Sequence, residues 1–287
     1  MKILWRANYD MKGNGYGYTT HQKNLRAAIE RREDVQMVET PEEADVAVSI
    51  TMPTNYSPLP GVFNVLYTMY ETSTLPDDWV PKLSEPDLLI VPNKHNRRLF
   101  ASYTSTPIRV VSEGINPEKF TAVKRQRPED RPFVFLWIGA SNPRKGYQHI
   151  ATAWGLFCKR FPEIAENSVL VMKTTQETKV ERLEKYPVKL PNGKISQCFV
   201  DTRDYSLKEL IDLYHYSHCF LFPSMGEGWG LTLHEAMATG LPAIYTNYSA
   251  MRDWVPRKYA YPLRFEMKKI RTLRPTPDGG QEVHHYT

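Results

Sequence analysis

Ser224-Met-Gly-Glu227-Gly-Trp-Gly-Leu-Thr-Leu-His-Glu235-Ala-Met-Ala-Thr-Gly-Leu-Pro242 sets two glutamates eight positions apart across a glycine turn. The apolar run Cys219-Phe-Leu-Phe222 ahead of it has the length and continuity of a buried parallel strand, and Leu231 to Thr239 reads as a short helix closed by Gly240 and Pro242. Gly228 and Gly230 remove the Cβ atoms that would keep a ligand from the backbone, and the N–H groups of the helix start face whatever anion or hydroxyl sits there. Phosphate or sugar oxygens fit such a nest. On this spacing Glu235 falls in the first helical turn, its carboxylate available to a vicinal diol, while Glu227 in the loop reaches hydroxyls farther along the ligand. The plainer reading of acidic residues at a helix start is that they complement its dipole.

A second segment lies about ninety residues upstream. Phe133-Val-Phe-Leu-Trp-Ile138 is another continuous apolar strand, followed by Gly139-Ala-Ser-Asn-Pro-Arg144-Lys145-Gly146 and an amphipathic helix from Tyr147 to Arg160. Cations placed directly after a strand suit a diphosphate. The loop is not a Walker A motif, because no Gly-Lys-Ser/Thr follows a Gly at four residues' distance, and a nucleotide hydrolase is excluded at that point. Further strands at Val169–Met172 and Gln197–Val200, with a helix at Leu207 to Tyr216, complete an alternating second half.

The first 120 residues repeat the alternation. Ile3–Trp5 is a short strand, Gly13-Asn-Gly15-Tyr-Gly17 a flexible loop, and Thr19 to Arg31 a helix with Leu25, Ala28 and Ile29 on one face. Strands at Val35–Val38, Val46–Ile50, Val62–Met69, Leu88–Val91 and Ile108–Val111 follow, with a helix expected near Pro76 to Leu83. The glycine loop lacks dinucleotide spacing. Pro117 to Pro132, rich in proline and charge, reads as a linker.

The chain has 287 residues, 41% hydrophobic and 24% charged, enough for two domains with separate cores. Cys158, Cys198 and Cys219 stand in apolar contexts without short pairing, which predicts free thiols in a reducing compartment and neither a disulfide framework nor a zinc site. No apolar run approaches the ~20 residues of a membrane span, and a cytoplasmic location is expected. Of the net charge of +5, most lies from Arg257 onward, where seven Lys/Arg face three Asp/Glu. A solvated tail is the ordinary reading of that stretch, and a weak contact with an anionic surface is the alternative. His215, His218 and His234 share no metal-ligand spacing, and the Lys179–Lys185 run reads as a solvated helical face.

The Glu227–Glu235 segment resembles the glutamate, seven residues, glutamate signature of retaining glycosyltransferase family 4, in spacing and in flanking residues. Lys145 matches the lysine of that family's phosphate loop; the family's arginine after the glycine is Ala140 here, and Arg144 is the cation that stands nearby. Tyr67-Thr-Met-Tyr-Glu71-Thr-Ser-Thr-Leu-Pro76 resembles a subgroup in which a glutamate–threonine loop replaces a histidine facing the reaction centre. Val91-Pro-Asn93 and Val111-Ser-Glu-Gly114-Ile-Asn116 resemble the strand ends that lead to the hinge. The matches cover roughly residues 1 to 255, and beyond that the family's terminal helices have no counterpart.

The resemblance implies a GT-B architecture of the α/β class, two Rossmann-like domains facing across a cleft: an acceptor domain over 1–120, a linker over 121–132, a nucleotide-sugar donor domain over 133–256 and a basic tail over 257–287. It implies transfer of a hexose, with retention and without a metal, from a UDP- or GDP-sugar to a hydroxyl acceptor such as a glycan, a lipid-linked sugar or a modified DNA base. Glu227 and Glu71 would be the catalytic carboxylates. Arg144, Lys145, Gly228, Trp229, Gly230, Leu231 and Glu235 would bind the donor, Glu235 through its ribose, with base contacts from the loop at Asp201 to Tyr205. Gly13, Gly15 and Gly17 would meet acceptor or phosphate. Three rivals remain: a phage-type enzyme glucosylating a hydroxymethylated DNA base, supported by the tail and by Lys94, Arg97 and Arg98; a non-catalytic sugar-nucleotide-binding protein; and, last, a sugar-nucleotide epimerase, which lacks the acidic signature.

Overall fold

Twelve short apolar runs become parallel strands and divide into two six-stranded sheets. The structure, a computed structural model, describes residues 1–6, 16–126, 130–140, 142–174, 190, 193–194, 197–275 and 281–286. Gly13, Gly15 and the Lys179–Lys185 run lie outside the described residues.

The first half runs β1 (Lys2–Arg6), α1 (Tyr16–Ile29), β2 (Gln36–Val38), β3 (Val46–Ile50), β4 (Phe63–Tyr67), β5 (Leu88–Val91), α2 (Lys94–Ala101) and β6 (Ile108–Val110). Its sheet has the order β2-β1-β3-β4-β5-β6, every pair parallel. The strand expected to reach Met69 ends at Tyr67: Thr68 N–H still donates to Ile90 O of β5, but Met69 N–H leaves the ladder for the Tyr18 hydroxyl. The helix expected near Pro76 reduces to a 3-10 turn at Pro81–Ser84 beneath Trp79.

The second half runs β7 (Phe133–Ile138), α3 (Tyr147–Arg160), the single turn α4 (Pro162–Ala165), β8 (Ser168–Lys173), β9 (Gln197–Asp201), α5 (Leu207–Tyr216), β10 (Cys219–Phe222), α6 (Leu231–Ala238), β11 (Ala243–Thr246), the single turn α7 (Met251–Trp254) and β12 (Ala260–Leu263). In order β9-β8-β7-β10-β11-β12 this is the doubly wound arrangement 3-2-1-4-5-6. Both faces of such a sheet are covered, so its strands are apolar throughout rather than alternating. Leu136, Phe220, Ala243 and Tyr245 are fully buried against Leu233 and Ala236 of α6, and Trp137 and Leu170 against Ile150 and Trp154 of α3. Each fully buried aliphatic or aromatic side chain of this kind contributes roughly 1.5–3 kcal/mol.

The proline-rich stretch after Pro117 is anchored to the second domain. Phe120 enters that domain's core, and the Arg125 guanidinium donates to the carbonyls of His215 and Ser217 at the end of α5 and of Thr239 at the end of α6. It thereby supplies donors to carbonyls that a helix terminus leaves without them, with a cation where the helix dipole is negative. Past Pro256, where the sequence showed little period, the chain adds β12 to the sheet edge and then forms an antiparallel hairpin, β13 (Lys268–Pro275) with β14 (Gln281–Tyr286). Among the described residues Cys158, Cys198 and Cys219 form no disulfide, and no helix is long and apolar enough to cross a membrane.

Candidate functional site

Ligands of open α/β sheets bind beyond the carboxyl ends of the strands, where the strand order reverses. In the second sheet that point lies between β7 and β10, so the loops 139–146 and 223–230 run side by side over it. They are joined by Met225 N–H donating to Arg144 O at 2.8 Å, and from below the Trp137 indole N–H holds Lys145 O at 3.2 Å. Asn142 caps the 3-10 turn Pro143–Lys145 by accepting from Arg144 N–H, and Gly146 at φ 73° turns the chain into α3. A Cβ on Gly146 would stand 2.2 Å from Pro223 O, so both its conformation and its packing demand glycine.

The two loops bring four charged side chains together. Lys145 Nζ lies 2.7 and 2.8 Å from the two carboxylate oxygens of Glu227. Arg144 bridges Glu227 and Glu71 at 3.3 Å each. Ser224 Oγ donates to Glu227 at 2.6 Å, and Ser249, at φ 48°, clamps the Glu227 backbone by accepting from its N–H and donating to its carbonyl. Burial would push the Glu227 carboxyl up, but Lys145 and Arg144 outweigh it and hold it below the ordinary carboxylate value. It is an anion, 6% exposed, with its lone pairs taken.

Two glycines of the turn are also demanded by packing across the cleft. A Cβ on Gly226 would meet Glu71 O at 2.4 Å, and one on Gly228 would meet Met69 Cγ and Sδ at 2.5 Å. They let the opposite domain approach closely. Asn93, which caps α2 through Asn96 N–H, also donates from Nδ2 to Gly228 O across the cleft. Gly230 at φ 90° is the N-cap of α6.

The helix α6 begins at Leu231 as expected, and Glu235, its fifth residue, therefore falls in the second turn and not the first. It is 6% exposed and accepts from the Tyr214 hydroxyl at 2.9 Å; burial pushes its carboxyl up to about 7, and the Tyr214 bond pulls the other way. Trp229 is 5% exposed and stacks on Trp254 at 5.3 Å, with its N–H on His234, so the ring belongs to an aromatic cluster. Leu231 is half-buried at the helix start, and Gly17 lies exposed within α1 rather than in a loop. Lys173 is buried at the end of β8, with Nζ 4.8 Å from the Tyr205 ring centre and hydrogen-bonded to Thr174 O. Tyr205 in turn donates to Asp201 at 2.6 Å, fixing the loop where base contacts were expected. Lys94, Arg97 and Arg98 are exposed on α2, Arg98 beside Asp253 at 4.0 Å.

Sequence reasoning missed Ser224, Ser249, Tyr214 and Glu113. Ser249 and Tyr214 act from 22 and 21 positions away from the carboxylates they touch, and nothing local marks them. Glu113 stands in the hinge segment quoted above and is 4% exposed.

Residues 118–259 match the family model for Glycosyl transferases group 1. A 56-residue stretch is 41% identical to a putative glycosyltransferase of Sulfolobus islandicus filamentous virus, covering 19% of this chain and 18% of that protein. Among solved structures, the α,α-trehalose-phosphate synthase of Burkholderia xenovorans superposes with a TM-score of 0.60 at 11% identity, over 85% of this chain and 67% of that one. WaaG, a glycosyltransferase of lipopolysaccharide biosynthesis, gives 0.56 at 12% identity over 87% and 82%. The trehalose-6-phosphate synthase OtsA gives 0.56 at 13% over 83% of this chain, which spans 65% of the length of that relative. The architecture is GT-B, two Rossmann-like domains, and its second half is similar to the group 1 glycosyltransferase domain over residues 118–259.

Proposed function

We propose that this protein is a retaining glycosyltransferase that moves a hexose from a UDP- or GDP-sugar to a hydroxyl acceptor without a metal ion. The observation that carries the reading is the Lys145–Glu227–Arg144–Glu71 cluster, which stands over the strand-order reversal of the second sheet and directly beneath the first domain. In the absence of a donor the two cations neutralise two carboxylates. A diphosphate entering between the domains offers them a stronger partner, and Lys145 and Arg144 then stabilise the charge that grows on it as the hexose leaves. This releases lone pairs of Glu227 for the hydroxyls of the transferred sugar. Glu235, behind the start of α6, accepts the ribose diol, and Lys173 with Tyr205 borders the base. Glu71 faces the reaction centre from the first domain and steers Arg144. The reading needs no metal because two side-chain cations and a helix start supply the positive potential.

Retention is carried over from the sequence resemblance, and a trehalose-6-phosphate synthase of similar fold is described as transferring with retention. The test is transfer, to an acceptor panel or to water, followed by proton NMR of the first product formed. An axial donor bond should give an axial product, and turnover should survive EDTA. An inverted product, or activity lost on chelation and restored by manganese, would contradict the proposal.

A further inference from the structure

The start of α2 is short of negative charge. Its first turn, Lys94-His-Asn96, carries no acidic residue, although the free N–H groups there make it the positive end of the helix. Asn93 caps one of them, its side chain accepting from Asn96 N–H at 2.8 Å. A second is capped from the other domain. His95 N–H donates at 2.7 Å to Asp253 Oδ2 of α7, 158 positions away, and Arg98 stands 4.0 Å from the same carboxylate, whose side chain is 15% exposed.

The same turn grips the loop that carries Glu71. Asn96 is fully buried; its Oδ1 accepts from Tyr70 N–H and its Nδ2 donates to Tyr70 O, both at 2.8 Å. On the other side of Glu71, His95 Nε2 lies 3.4 Å from Thr72 O. Residues 70 and 72 are thus both held by α2, and Glu71 between them reaches Arg144 of the second domain at 3.3 Å. Two more contacts tie the turn and its loop across the cleft: Asn93 Nδ2 donates to Gly228 O, and Tyr248, hydrogen-bonded to Ser73, sets its ring edge-on to His95 at 5.7 Å. The first turn of α2 is therefore a joint with the Glu71 loop on one side and the donor domain on the other. Displacement of a reacting group by about 1 Å costs on the order of a hundredfold in rate, so a joint of this kind bears on the chemistry without touching it.

We propose that Asp253 is a positioning residue of the cleft: by capping α2 from the donor domain, it fixes the register between the domains in which α2 holds Glu71 against Arg144. The role rests on the transfer reaction read above, and adds to it a residue that acts through α2 rather than on the donor.

The test combines three measurements on wild type, Asp253→Ala and Asp253→Asn: amide hydrogen exchange of the free protein, calorimetric affinity for UDP and GDP, and nucleotide release from UDP- and GDP-hexoses over the acceptor panel. In Asp253→Ala the 68–74 segment, which belongs to the other domain, should exchange at least fivefold faster while β7 and α5 keep their wild-type rates. Turnover at saturating donor should fall at least tenfold, with nucleotide affinity within twofold of wild type. Asp253→Asn keeps an acceptor oxygen for His95 N–H and should hold turnover within threefold of wild type. Should the alanine variant fail to fold, Asp253→Ser, too short to reach His95, takes its place with the same expectations. Unchanged exchange at 68–74, unchanged turnover, or equal losses of affinity and turnover would confine Asp253 to its own domain and overturn the proposal while leaving the donor site standing. Absence of nucleotide release by wild type with every hexose donor would overturn the transfer reading, and the positioning role with it.

Discussion

Glu227 and Glu235 are eight residues apart in one motif, yet their surroundings give them different chemistry. Glu227 is held ionised by Lys145 and Arg144, whereas Glu235, whose partner among the described residues is the Tyr214 hydroxyl, is pushed up to about 7 by burial. A diol donates to the ionised form, so donor affinity should rise between pH 6 and 8 as Glu235 loses its proton, and Glu235→Gln should flatten that rise and weaken binding by roughly 1.5–3 kcal/mol. Calorimetric titrations across that range check it; an unchanged slope in the variant would remove Glu235 from the ribose. The same shift has a stability consequence of defined sign. The folded state keeps the Glu235 proton from the ordinary 4.5 up to about 7, where the unfolded chain has lost it. Stability associated with this group therefore falls as pH rises through that window, and Glu235→Gln should gain on wild type in urea melts at pH 8 relative to pH 4.5. Glu227 acts at the transferred sugar in the proposed mechanism, so Glu227→Gln should lower turnover more than it raises the donor KM. Measured kcat and KM at varied donor concentration settle this, and wild-type turnover in a folded Gln variant would end the assignment.

At the scale of elements, the glycine turn and the phosphate loop are legible because strand, turn and helix start each leave a local mark: the Cys219–Phe222 and Phe133–Ile138 runs, the glycines, and the helices at 147–160 and 207–216 fall where periodicity places them. The start of α6 at Leu231 was legible too, with Gly230 at φ 90° as its N-cap, and Glu235 at the fifth position lies one turn further along than expected. The task of Gly226 and Gly228 was not legible, since it is set by Glu71 and Met69 from another domain. Gly146 combines a left-handed backbone with a carbonyl at 2.2 Å from any Cβ, and Gly146→Ala should cost about 3 kcal/mol and displace the Lys145 loop. Arg125 ties the connecting segment to the ends of α5 and α6, and Arg125→Ala should cost about 2 kcal/mol by leaving those carbonyls unpaired. Chemical denaturation checks both; a loss below about 0.5 kcal/mol for Arg125→Ala, the range of ordinary surface changes, would show that the segment is not held there.

For the whole molecule, two sheets present their carboxyl ends to each other, and the site is made by the closure rather than by either domain. That is why the Glu227–Glu235 motif was visible in the sequence while the bridging contacts, Arg144 to Glu71 and Asn93 to Gly228, were not: each joins residues 73 to 135 positions apart. It also explains the tail. An uncovered edge at β11 recruits Ala260–Leu263 as a sixth strand although the segment shows little period of its own. The central claim, a donor site centred on Lys145 and Glu227, is tested most directly by calorimetric binding of UDP- and GDP-hexoses, the free nucleotides and the free hexoses to wild type and Lys145→Ala in EDTA. The account predicts that one UDP- or GDP-hexose binds wild type more tightly than its free hexose, and that Lys145→Ala weakens it at least tenfold, about 1.4 kcal/mol. Absence of binding by every member of the panel, or affinity indifferent to Lys145, would contradict it.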